Sequence, residues 1–114
     1  MTKSQRAHFR IVYPPMFRPI LIVEGHEYSI MNLSETGVKF QLPQNPKNEE
    51  LKPQFKQPIS AKIKFGDGQE VPIEGKILRQ EPGSIILLLT LGVPLARIMS
   101  EQLYLIQRFK DLSK

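Results

Sequence analysis

The stretch "ISAKIKFGDGQEVPIEGKI" at positions 59–77 leaves little choice of local structure. Ile59, Ala61, Ile63 and Phe65 fall on one phase of a period-two pattern, and Ser60, Lys62 and Lys64 fall on the other. That is how a strand with one dry and one wet face reads. "GDGQ" at 66–69 is a strong hairpin signal, and Val71, Ile73, Gly75 and Ile77 resume the alternation on the return. The rest of the first ninety-odd positions reads in the same way. "PILIV" at 19–23 is rich in β-branched residues, "EGHE" supplies a turn, and "YSIMNL" and "VKFQL" are strand-like on either side of "SETG". "EPG" at 81–83 is another turn, and "SIILLLTL" reads as a strand buried on both faces or nearly so.

Prolines mark the exceptions. "YPPMFRP" at 13–19 holds three of them, which forbid regular pairing and keep the chain extended. Residues 1–18 are therefore expected to form a lead-in strap. Residues 43–58 hold four more prolines and much charge, the composition of a long surface loop with room for one helical turn at "NEEL". After "GVP" the period changes. Leu95, Ile98, Met99, Leu103, Ile106 and Phe109 recur at spacings of three and four, with Arg97, Glu101, Arg108 and Asp111 on other faces. This predicts an amphipathic helix over 94–110, with Pro94 near its first turn and an apolar stripe laid against the sheet. The expected architecture is one mainly β domain: a strap at 1–18, about six antiparallel strands over 19–92 in a small barrel or sandwich, and a C-terminal helix.

The chain has 114 residues, enough for one domain with a real core. It has no cysteine, which excludes a disulfide framework and thiol chemistry and fits a reducing compartment. "MTKSQRAHF" lacks the apolar centre of a signal peptide, and "IILLL" at 85–89 is too short to span a bilayer. A soluble cytoplasmic protein is expected. The catalytic inventory is thin. His8 and His26 are the only histidines, and with no cysteine or acidic cluster they make no metal site. Ser34 is followed by glutamate rather than set in a nucleophile elbow, and the scattered glycines form no phosphate loop. No catalytic residue, metal or cofactor is expected, and the chain reads as a non-enzyme.

Charge points to a different use. The net charge is +5, and Lys3, Arg6, Arg10 and Arg18 all precede the first acid, Glu24. A purely basic head suits a phosphate-bearing partner, although a solvated chain end would have the same composition. In "RAHFR" the two arginines are four apart. A guanidinium can hold a phosphate through two bonds, read the O6/N7 edge of guanine, or stack on a base. Phe9 and Ile11 would pin this strap to the barrel. Asn32 of "NLSETG" follows Arg10 by 22 residues; Asn32 and Ser34 offer polar groups, and Gly37 can take a positive φ at no cost. Each motif alone has an ordinary explanation, as a surface ion pair or a hairpin turn.

Together they resemble the PilZ domain. R-x-x-x-R in an N-terminal strap is followed by [D/N]-x-S-x-x-G, a six-stranded β-domain and a terminal helix, and the resemblance covers almost the whole chain. "VPIEGKILR" is similar to the family's later V-x-G-x-V-x-R strand, and "LGVPLARIMSEQLYLIQRF" to the ending of small stand-alone members. The resemblance implies a bacterial receptor for cyclic di-GMP on a six-stranded antiparallel β-barrel. It implies that Arg6 and Arg10 bind the phosphates and guanines, that Asn32 and Ser34 hydrogen-bond a guanine from the barrel side, and that Gly37 sets the turn. Gln5, just before the first motif arginine, leaves open whether one nucleotide or a stacked pair binds. Binding would order the strap and alter contact with a downstream protein, with biofilm formation, motility and virulence among the outputs known in the family. Two other readings stand beside it. One is a PilZ-fold adaptor that binds protein without nucleotide. The other is a single-strand nucleic-acid binder, disfavoured because the nine aromatic residues form no stripe along a strand, so no DNA or RNA partner is expected. The helix stripe has two uses open to it, closing the barrel or building a homodimer.

Overall fold

A computed structural model of the chain describes residues 10–43 and 58–112. Its strands are β1 (Ile11–Val12), β2 (Ile20–Val23), β3 (His26–Leu33), β4 (Gly37–Gln41), β5 (Ile59–Lys64), β6 (Glu70–Glu81) and β7 (Ser84–Leu91), followed by helix α1 (Leu95–Leu112). The β5–β6 hairpin follows its sequence pattern residue by residue. Ile59, Ala61, Ile63, Phe65 and Ile73 are buried, while Ser60, Lys62 and Lys64 face water. Gly68 takes φ +91° in the turn, and Phe65 N–H donates to the Gln69 carbonyl at 2.9 Å.

All pairings are antiparallel, in the order β1-β3-β2-β5-β6-β7-β4. β4 also pairs with β3, which closes β3-β2-β5-β6-β7-β4 into a six-stranded barrel with β1 as an extra strand. Val38, Phe40, Leu21, Ile30, Ile63, Ile85 and Leu87 fill its interior.

The lead-in is more regular than its prolines suggest. Ile11 and Val12 pair with Leu33 and Asn32, and Tyr13 N–H donates to the Met31 carbonyl at 2.9 Å. β2 takes the same side of β3 lower down, from Ile20↔Ser29 to Val23↔His26. The prolines fill the interval between these two paired stretches, where Pro15–Phe17 form a single 3-10 turn. Proline lacks only its own N–H, so pairing resumes on either side of it. The rest of the expected strap, residues 1–9, and the loop at 44–57 with its "NEEL" turn lie outside the described residues.

Two further expectations are corrected. β7 is not buried on both faces: Ile85, Leu87 and Leu89 point inward, whereas Leu88 is 41% exposed and Leu91 52%. A closed barrel has one inside, so alternate residues of every strand meet its outer surface. Helix α1 also turns a different face inward. Of the predicted stripe, Ile98 is buried, but Leu95, Met99, Leu103 and Ile106 are exposed. The inward residues are Ile98, Glu101 and Leu105, with Tyr104 packed at their side.

Arg97 explains that orientation. Its guanidinium lies 4.1 Å from the centre of the Phe65 ring and pairs with Asp67 of the hairpin turn at 3.1 Å. It pairs with Glu101, one helical turn on, at 3.1 Å, and also donates to Gln69 Oε1. The Glu101 side chain is only 2% exposed. Burial pushes its carboxyl above the usual range, against the opposing pull of Tyr13 and Arg97. The buried Tyr13 hydroxyl faces this carboxyl, and burial first, then the Glu101 charge, keep that phenol neutral. Rotating the apolar stripe inward would break this cluster by carrying Arg97 away from Phe65 and Asp67.

Arg97→Met should lower stability by about 3 kcal/mol at neutral pH, because the buried carboxylate then lacks its cation. A carboxyl whose pKa is raised by folding favours the fold when protonated and opposes it when ionised, so its contribution falls as pH rises through the raised range. Urea denaturation of both proteins from pH 7 downward should therefore show the variant's deficit shrinking as Glu101 takes up its proton.

Candidate functional site

The strand β3 should alternate, and Tyr28 and Ile30 are both buried. Simple continuation would put Asn32 in the core and Leu33 in solvent. A β-bulge between Ile30 and Asn32 prevents this. Ile30 pairs with Phe40 and Asn32 with Lys39, so Met31 and Asn32 together oppose one residue of β4. Both come to the half-buried outer surface, and Leu33 returns to the core. The Asn32 backbone pairs with Val12 and Lys39, and its side chain makes no hydrogen bond to another described residue.

The next residues turn sharply. Ser34 N–H donates to the Gly37 carbonyl at 2.9 Å, and Ser34 Oγ reaches the same oxygen at 3.5 Å. The turn is tied to β7, since Leu89 N–H donates to the Thr36 carbonyl at 2.9 Å. Gly92 supports it from below: a Cβ there would lie 1.9 Å from the Glu35 carbonyl oxygen. Gly37 does not act as the motif suggests. Positive φ among the described glycines occurs at Gly25, Gly68 and Gly83, whereas Gly37 is the first residue of β4, paired with Leu88. A Cβ at 37 would make ordinary contacts, 3.4 Å to the Leu87 carbonyl and 3.6 Å to Ser34 Oγ. The glycine keeps the flank of Ser34 open; the turn does not require it.

β1 brings the two motifs together. It pairs Ile11 with Leu33 and Val12 with Asn32, so Arg10, the residue just before Ile11, comes to the end of β3 from which the motif turn leaves. Ile11 and Tyr13 are buried, so this placement is anchored in the core, while Arg10 itself is exposed. Arg10, Asn32, Ser34 and Gly37 thus gather at one end of β3. Arg6, like Phe9, lies outside the described residues. Arg18 is committed elsewhere, donating to Gln41 Oε1 at 2.9 Å.

A second bulge, within "VPIEGKILR", extends the surface away from the motif turn. In β6, Ile77 pairs with Leu87 and Arg79 with Ile86, so Leu78 and Arg79 together oppose one residue. Asn32, Lys39, Ile86 and Arg79 consequently form one row across four strands of the outer surface. Glu81 binds Lys39 at 3.3 Å and Arg79 at 3.2 Å, and accepts from Ser84 Oγ at 3.4 Å. The two cations, Lys39 first, hold its carboxyl below the usual range. Sequence reasoning assigned no role to Lys39 or Glu81, and marked Arg79 only as the arginine that ends "VPIEGKILR". A trace of Arg79 was nonetheless present, because a cation landing on the inward phase set by Ile73, Gly75 and Ile77 demands a bulge.

No cluster of His, Cys, Asp and Glu among the described residues could hold a metal ion. No described helix is long and apolar enough to cross a membrane. Compared with known families, the chain matches the model described as PilZ domain over residues 4–110. Comparison with the curated proteins and with the solved structures found no match.

The two glycines of this region should behave differently. Gly92→Ala should cost about 2 kcal/mol or more, because a methyl group is forced onto a carbonyl of the motif turn. Gly37→Ala should shift stability by no more than about 0.5 kcal/mol. Thermal melts of both variants check the contrast.

Proposed function

This chain belongs to the PilZ domain family, whose members are receptors for cyclic di-GMP and generally non-catalytic, and from that premise we propose that it is a cyclic di-GMP receptor and effector. The observation that supports the reading is the β1–β3 register: Ile11, next to Arg10, pairs with Leu33, and Val12 pairs with Asn32, so the end of the first motif meets the start of the second. Cyclic di-GMP presents two phosphates and two guanines. The Arg10 guanidinium, with Arg6 as its partner from the same motif, supplies forked donors to phosphate oxygens and to the O6/N7 edge of guanine. Asn32 and Ser34 supply a fixed polar surface opposite, and Gly37 leaves room beside it. Nucleotide binding orders the arginine strap that leads into Ile11 and Tyr13, which are buried in the core. The bacterial cytoplasm, where this second messenger acts, is the compartment that fits.

Calorimetric titration of cyclic di-GMP tests the reading. Wild type should bind, and Arg10→Ala should bind at least tenfold more weakly, the loss of about 1.5–3 kcal/mol expected for charge-assisted hydrogen bonds. A silent wild type, or a variant that binds equally well, would remove the proposal. At hundredfold excess over Kd the nucleotide should raise the melting temperature by about 10 °C.

The effector half of the reading is supported by α1. Leu95, Met99, Gln102 and Ile106 recur at spacings of four, three and four, the seam of a helix that pairs with another helix. Ala96, Ser100, Leu103 and Gln107 beside the seam carry no charge, so two copies meeting there press no like charges together at the seam. A homodimer through α1 is the assembly we propose, with a downstream protein reading its nucleotide-bound form. Sedimentation velocity at rising protein concentration should show a monomer–dimer equilibrium that Met99→Glu abolishes while nucleotide affinity stays unchanged.

A further inference from the structure

The outer surface beside the proposed nucleotide site already holds an anion of its own. Lys39 lies directly across from Asn32, and Arg79 stands two strands beyond it in the same row. Both cations converge on one carboxylate. Glu81 Oε1 meets Lys39 Nζ at 3.3 Å and Ser84 Oγ at 3.4 Å, while Oε2 meets Arg79 Nη1 at 3.2 Å. The Lys39 and Glu81 side chains are 28% and 29% exposed, so this contact is partly shielded from water, unlike an ordinary surface pair. That the two cations hold the Glu81 carboxyl below its usual range agrees with a working ion cluster.

The backbone around Glu81 is fixed. It ends β6 opposite Ser84, and the turn that follows has Gly83 at φ +81°, with Leu42 N–H donating to the Gly83 carbonyl at 2.8 Å. The side chains are the movable parts. A Lys39 ammonium released from Glu81 is already on the residue paired directly with Asn32. While Glu81 keeps both cations, an incoming dianion meets a carboxylate and two neutralised partners.

We propose that Glu81 is a built-in counter-ion of the nucleotide site: in the free protein it occupies Lys39 and Arg79, and cyclic di-GMP must win these cations from it, so that Glu81 weakens nucleotide binding and sets the concentration at which the receptor responds. This rests on the cyclic di-GMP reading above. It assigns Lys39 and Arg79 as auxiliary anion contacts and Glu81 as a positioning residue that acts through them.

Glu81→Gln tests it, because the substitution removes the charge, nearly keeps the shape, and lies at a partly exposed strand end. In titrations with cyclic di-GMP at low salt the variant should bind about threefold to tenfold more tightly than wild type, with a steeper fall of affinity as salt is added. Glu27→Gln, at the opposite end of β3, makes the same change in net charge and should leave affinity unaltered. In the background of Lys39→Met and Arg79→Met the gain from Glu81→Gln should vanish. The proposal is overturned if Glu81→Gln binds equally or more weakly, if Glu27→Gln tightens binding as much, or if the gain survives without the two cations. A folded wild type that binds no cyclic di-GMP would instead defeat the receptor reading and this inference with it. A wild type that binds while Glu81→Gln changes nothing defeats the inference alone.

Discussion

Backbone pairing of β4 with β7 on one side and β3 on the other is the contact on which the rest of the molecule depends. It closes the ring and leaves each barrel strand one dry face and one wet face. A ring so closed has no place inside for an amide or a guanidinium without partners. Asn32 and Arg79 both stand where plain alternation would drive them into the core. The two bulges expel them, and because the bulges oppose Lys39 and Ile86, which are themselves paired, the expelled groups arrive in one row. The polar surface beside the motif turn is thus a consequence of closure: the same geometry that dries the interior assembles this outer row.

The helix obeys a different constraint. Its inward face carries the Arg97–Glu101 pair, joined to Asp67 and stacked on Phe65. Such a cluster contributes little net stability over an apolar replacement, but once formed it is costly to break by halves. It therefore selects one rotation of the helix about its axis. The consequence is an exposed seam from Leu95 to Ile106, which a helix packed by hydrophobicity alone would have hidden. Tyr13 lies against Glu101 from the strap side, so the segment that carries Arg10 and the helix that carries the seam meet at one buried carboxyl.

Much of this was legible in the chain. The 59–77 alternation with its glycine turn determines the β5–β6 hairpin, and the spacing of Arg6 and Arg10 to Asn32 and Ser34 carries the family. The limits of the helix were close to those expected. What could not be read was the placement of single side chains where period-two or period-3.6 counting breaks down. Lys39 looked like an ordinary surface charge, Gly37 looked like a turn residue with positive φ, and "SIILLLTL" looked like a strand with two dry faces. Ile11 and Val12 looked unpaired because prolines follow them, yet they share an edge of β3 with β2.

By itself the sequence determined the local elements, their antiparallel partners across short turns, and the residue types at the candidate site. These follow from near-neighbour physics: alternation of side chains, turn preferences of glycine and proline, and amphipathic periodicity. Tertiary structure alone decided the closure of β4 onto β3, the two bulges, the pairing of β1 and the rotation of α1. Each of those depends on partners distant along the chain, which must be satisfied together inside one small volume, and no window of neighbouring residues contains that condition.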